Sequence, residues 1–131
     1  MARNVICWEG PPLSTPSAEA VIHYRDGIAA LVSGRANADR LLDAAITIDQ
    51  RFLLAHVGRA VCDVVAGASY AGPRGDQSAI GRGERQHAEV VLTTLTGDCG
   101  HARDLRREHL LEFPGDLLIV WLPVLATHGA P

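Results

Sequence analysis

Glu84 and His87 stand three residues apart in the run R-G-E-R-Q-H, directly after a stretch rich in glycine. Residues at that spacing share one face of a helix. A carboxylate and an imidazole so placed form a candidate acid–base pair, and the helix N-terminus beside them suits an anion. The same residues have a structural use. Glu84 can complement the positive end of the helix, Arg85 can form a salt bridge, and His87 can pack against a neighbouring helix. His56 and Arg59 make a second pair, again three apart. In a concave groove they would hold a carboxylate or phosphate, and the competing use is a half-buried interhelical contact. The candidate ligand contacts are therefore Tyr24, Arg25, His56, Arg59, Arg85 and His87. If the chain catalyses a reaction, His56, Glu84 and His87 are the groups to carry it.

No metal site and no cofactor are expected. His101 and His109 are two helical turns apart with Cys99 nearby, whereas a helical chelate wants ligands one turn apart. His101, Leu105 and His109 read instead as a stripe. The three cysteines, Cys7, Cys62 and Cys99, are odd in number and lack metal-ligand spacing, which points to a reduced, cytoplasmic setting. Cys62 lies in an apolar run and reads as inert core, while Cys99, beside Gly100 in a turn, reads as exposed. No local Ser/His/Asp or Cys/His nucleophile signature is present.

These side chains must be positioned by helices. The chain has 131 residues, enough for one domain with a real core. Aromatics are only 5% of the residues while small and aliphatic ones abound, which favours close-packed helices over sheet. A net charge of −3 gives no reason to expect nucleic acid or an anionic membrane as partner. No apolar run approaches the ~20 residues of a membrane span, and residues 1–12 do not read as a signal peptide.

In order, residues 1–16 form an extended leader punctuated by Pro11, Pro12 and Pro16, with Ile6 and Trp8 as its large apolar anchors. Residues 17–131 form a single helical domain. Its first helix covers about 17–33, with Ala18, Val21, Ile22, Ile28, Ala29 and Val32 expected inward and Gly34 closing it. Asn37 is placed to cap a second helix carrying Ala38, Leu41, Leu42, Ala45 and Ile46. A third spans about 51–66. Residues 67–83 form a Gly-rich loop, with a helical turn about 77–80 as an option. A helical hairpin follows, its first member striped by Ala88, Val91, Leu92 and Leu95, turning at Gly97-Asp98 and stopping at Pro114. Asp116 then reads as the N-cap of a last helix over 116–126.

Two segments share one logic. One runs from Gly34 through Ala38, Leu42 and Ala45 to Asp49, the other from Gly97 through Ala102 and His109 to Pro114 and Asp116; in each a glycine turn precedes an alanine by four or five residues, and the two alanines lie 64 positions apart, about two units of a repeat in the thirties. Small residues at fixed points let paired helices approach, as an α-solenoid requires. The run Gly97-Asp98, Ala102 and Pro114 resembles the second half of a tetratricopeptide repeat. More specifically, the chain resembles the N-terminal part of the tetratricopeptide repeat protein thirty-eight family. The matching pieces are W-E-G-P-P-L-S-T-P-S-A-E-A (8–20), D-Q-R-F-L-L-A-H (49–56), R-G-E-R-Q-H-A-E-V-V (82–91) and H-L-L-E-F-P-G-D-L-L (109–118). Members of that family are generally several times longer. The resemblance implies a helical repeat scaffold used as an interaction surface, and it brings no assigned catalytic residues.

The expected architecture is all-α, a short tetratricopeptide-like solenoid of about six antiparallel helices. The expected function is a small cytosolic binding or adaptor module that holds a peptide, protein or small ligand in a groove bordered by helices one, three and four. The alternative is a metal-independent hydrolase, cyclase or isomerase. The apolar run 117–125 exceeds what one covered helix face needs, so Leu117, Leu118, Trp121 and Leu125 are expected to form a homodimer contact.

Overall fold

The computed structural model describes residues 10–68 and 81–122. They form α1 (Ala18–Val32), α2 (Ala38–Ile48), α3 (Leu53–Val65), α4 (Arg82–Leu95) and α5 (Cys99–Glu112), followed by a helical segment over 117–122. There is no strand among these elements, so the described chain is all-α. Each helix packs on the next, and α1 also touches α3. The expected turn about 77–80, the leader anchors Ile6 and Trp8, and Leu125 lie outside the described residues.

Local chemistry explains the boundaries. The Ser17 hydroxyl accepts from the Ala20 N–H at 3.1 Å and starts α1, and Asp98 does the same for α5 through the His101 N–H at 3.2 Å. Asn37, expected to cap α2, makes no such bond. At the other ends, α1, α3 and α4 close in one way. Gly34, Gly67 and Gly97 take positive φ, and the N–H groups of each glycine and of the residue after it return to the last helical turn. This is the left-handed closure that absorbs orphan carbonyls. Gly34 and Gly97, paired in the sequence repeat, thus do the same work. The partner alanines Ala38 and Ala102 are both buried.

The core joins Tyr24, Ile28 and Leu31 of α1 to Leu42 and Ala45 of α2, Leu53, Val57 and Val61 of α3, and Val90 and Val91 of α4. Ala18 and Ile22, expected inward on α1, face outward instead, Ile22 being 52% exposed. Apolar residues surround α1, and close contact with α2 chooses among its faces. A Cβ on Gly27 would sit 2.8 Å from Leu42 Cγ, so the face carrying Gly27, Tyr24 and Ala20 is the one that fits. The Gly-rich stretch also ends earlier than expected, because Gly81 caps α4 and Gly83 already lies within it.

Leu118, Ile119 and Leu122 are fully buried in the chain's own core, with Leu117 and Trp121 packed partly against it. Leu118 is therefore not available to a second copy. Leu118, Ile119 and Leu122 are thus used within the chain, while Val120 of the same segment is 47% exposed. Arg106 Nε of α5 donates to the Ile119 carbonyl at 3.4 Å.

Candidate functional site

The first turn of α4 buries polar side chains. Glu84 and His87 are inaccessible to solvent, as are His109 on α5 and Asp116 in the turn after it. Helical spacing sets Glu84 and His87 on one face. The Phe113-Pro114 break then turns the chain so that Asp116, seven residues beyond His109, comes back over both helices. Asp116 Oδ2 lies 2.7 Å from His87 Nδ1 and 2.7 Å from His109 Nε2. The two imidazoles stand nearly edge to face, 6.0 Å apart, and Phe113 packs against His109 with ring centroids 5.2 Å apart. On its far side, His109 Nδ1 faces Gln86 Oε1 at 3.1 Å.

Glu84 works in another direction. Its Oε2 accepts from the Ser14 N–H at 3.0 Å and from the Ser14 hydroxyl at 3.2 Å. Beside it, a Cβ on Gly83 would lie 2.4 Å from Pro11 Cβ, so glycine is what lets the leader lie directly on α4. Residues 11–14 are thereby held against the same helical turn that carries His87.

The electrostatics are those of a dry, charged centre. Burial alone would raise the Asp116 pKa, but the His87 charge and the hydrogen bonds and charge of His109 and His87 outweigh it. Asp116 is held well below the usual carboxylate range and is ionised. Burial first, then the charges of Asp116 and Glu84, push the Tyr24 phenol well above its ordinary value, so Tyr24 of α1 belongs to the same neighbourhood. Its ring packs on Phe52 with centroids 5.1 Å apart. An uncompensated charge in such a place would cost several kcal/mol, and the pairing of Asp116 with two imidazoles offsets it.

The sequence-derived site residues thus divide. His87 and Glu84 share the α4 turn, but both are closed off from solvent. Tyr24 is core and lines no open groove. His56 is on α3, where its Nε2 pairs with the Gln50 carbonyl at 2.9 Å. Arg59 is held by Asp43 of α2 at 2.9 Å and by Asp63 at 2.5 Å. Neither joins the Asp116 centre. Arg25 is half-buried and Arg85 exposed.

Two members were missed in the sequence. Asp116 was read as a helix cap; its carbonyl does accept the Val120 N–H at 3.0 Å, but its side chain turns inward to the histidines. His109 was read as part of a stripe with His101, yet His101 is exposed and His109 fully buried. The expectation of no metal ligands weighed spacing within one helix. Here the nearby donors come from α4, α5 and the turn that follows, and His87, His109 and Asp116 each offer an atom within 4.8 Å of the others. The one sequence signal was a histidine on each helix of a hairpin followed by an aspartate just past its proline stop.

The chain matches no protein-family model, no curated protein and no solved structure. Among the described residues, no helix is long and apolar enough to cross a membrane.

Proposed function

We propose that this chain is a small cytosolic binding module built like a tetratricopeptide-type solenoid, taking a peptide, protein or small ligand on the faces of α1, α3 and α4. The observation that carries this reading is the separation of the groups that acid–base catalysis would need. His56 pairs with Gln50 in the turn between α2 and α3 and Arg59 with carboxylates of those helices, while Glu84 and His87 are buried and hydrogen-bonded near the leader and α5. A catalytic set requires convergence on a space a substrate can enter. Successive helix packing with an added α1–α3 contact supports a stacked-hairpin arrangement. The buried polar centre then serves as the fixed post that holds the α4–α5 hairpin. Arg25, Arg85 and His56 are the contacts kept from the ligand set.

The test is a chemical-shift titration of the labelled chain with a panel of short acidic and apolar peptides. Perturbations grouped on α1, α3 and α4, and weakened by Arg85→Glu, are the expected result. An absence of perturbation at millimolar peptide, together with hydrolysis of a generic ester or phosphoester that Glu84→Gln abolishes, would replace this reading with the enzyme alternative.

A further inference from the structure

The centre formed by His87, His109 and Asp116 has three properties that suit a bound cation. The first is its donor set. Two imidazole nitrogens and a carboxylate oxygen from three separate elements lie within 4.8 Å of one another, on side chains with no solvent exposure. The second is the orientation of Gln86. Its Oε1 faces His109 Nδ1 at 3.1 Å, which places an acceptor on the ring nitrogen that points away from Asp116. The other ring nitrogen, Nε2, is aimed at Asp116 Oδ2, 2.7 Å away. The third is an excess of acceptors. Asp116 Oδ1 and Glu84 Oε1 are buried and find no hydrogen-bond partner among the described residues, whereas buried polar atoms are as a rule satisfied.

We propose that His87 Nδ1, His109 Nε2 and the Asp116 carboxylate bind one divalent transition-metal ion of the zinc class. Two imidazoles and one carboxylate suit zinc and its neighbours, whereas magnesium or calcium would call for a shell of oxygens. Zinc bonds of about 2.0 Å in a tetrahedron set the donors about 3.3 Å apart. The two 2.7 Å contacts therefore open by about 0.6 Å when the ion sits between the donors, a change within reach of small side-chain rotations. Gln86 then holds the Nδ1–H of His109, the outer hydrogen bond that orients a metal-bound imidazole. Asp116 Oδ1 is available for the second carboxylate contact. Because the ligands come from α4, α5 and the turn before the 117–122 segment, the ion joins these three elements and its binding is coupled to folding.

The test uses the full chain, stripped with a chelator and dialysed against cobalt(II) and then zinc(II). The expected result is about one cobalt per chain, with visible absorption bands that zinc abolishes and a melting temperature raised by either ion. Affinity falls by about tenfold or more in His109→Gln and Asp116→Asn and is unchanged in His101→Ala, with folding of each variant checked by circular dichroism. A measurement on the unaltered chain stands beside these: cadmium NMR of the loaded protein, in which the metal couples to the ring protons of His87 and His109. The proposal is overturned if the folded chain takes up no stoichiometric cobalt or zinc, with His109 protonated on both nitrogens by its imidazole nitrogen shifts. It is equally overturned if the ion couples to other histidines, or if the two ligand variants fold and retain full affinity.

Discussion

His87 Nδ1 and Asp116 Oδ2 lie 2.7 Å apart although 29 residues separate them. That contact, shared with His109, ties α4 to the turn beyond α5 and makes a carboxylate the buried link between two histidines. A fold that places such a group at its centre is sensitive to its charge. Asp116→Asn is expected to destabilise the chain by about 3 kcal/mol, since breaking a buried ion pair leaves its partners uncompensated. His101→Ala, on the exposed side of α5, should stay within about 0.5 kcal/mol. Urea unfolding of both variants against the parent chain makes the comparison. Equal midpoints would show that the buried link contributes nothing to stability.

Two glycines on neighbouring helices should respond oppositely to the same change. An added Cβ at Gly83 meets Phe113 Cζ at 3.0 Å and Pro11 Cβ at 2.4 Å, and the latter is fixed to its own backbone. Gly83→Ala is expected to cost about 1–3 kcal/mol, as overpacked sites do. At Gly100, in the first turn of α5, an added Cβ meets nothing within 4 Å. Gly100→Ala should therefore stabilise by roughly 0.5–1 kcal/mol, by narrowing the freedom of the unfolded chain. Thermal denaturation of the pair reads both signs at once.

The leader is held to α4 by one acidic side chain. Glu84 Oε2 accepts both the N–H and the hydroxyl of Ser14. Glu84→Ala removes both bonds, and limited proteolysis within residues 10–16 should quicken while cleavage within α1 to α3 stays slow. An unchanged cleavage pattern would mean that Pro11 packing alone holds the leader.

Cys62 predicts an alkaline transition. Burial pushes its thiol up to about 11 from a reference of 9.0; Arg59 opposes this, and Asp39, Asp63 and Asp43 reinforce it. The folded state thus holds the proton more tightly than the unfolded state. The resulting stability is fully present below about pH 9 and is lost as pH rises through 11. Its size is at most about 2–3 kcal/mol. The chain has no lysine, so no ammonium group titrates across the same window. Unfolding midpoints should fall between pH 9 and 11 in the parent and less steeply in Cys62→Ala. In the native state at neutral pH, a thiol reagent should modify exposed Cys99 rapidly and leave Cys62 unmodified.

Much of the helical layout was legible in the chain because its signals are local. Ser17 and Asp98 announce helix starts through side-chain oxygens, Gly34 and Gly97 announce ends through their backbone freedom, and the Phe113-Pro114 step announces a break. Each acts over a few residues, so a reader of the sequence meets the whole interaction at once. Leu42, Ala45, Ala88 and Val91, all buried, likewise follow from their helical period. The inner face of α1 was not, because that helix is apolar around much of its circumference. Only the demand of Leu42 for the space above Gly27 selects the side that turns in.

By itself, the sequence determined the all-α class of the described residues, most of their helix boundaries, and the placement of Glu84 and His87 on one helical face. Tertiary structure decided what those side chains do. His56 went to the Gln50 carbonyl in the turn between α2 and α3, Arg59 to carboxylates on those two helices, Glu84 to the leader, and His87 to an aspartate that looks from the sequence like an ordinary cap. The reason is one of range. Capping and periodicity operate within a turn or two of helix, but the Asp116 centre exists only where two helices and the turn after them meet. Bringing together groups 7 and 29 residues apart on a single carboxylate oxygen is a property of packing, and no local pattern encodes it.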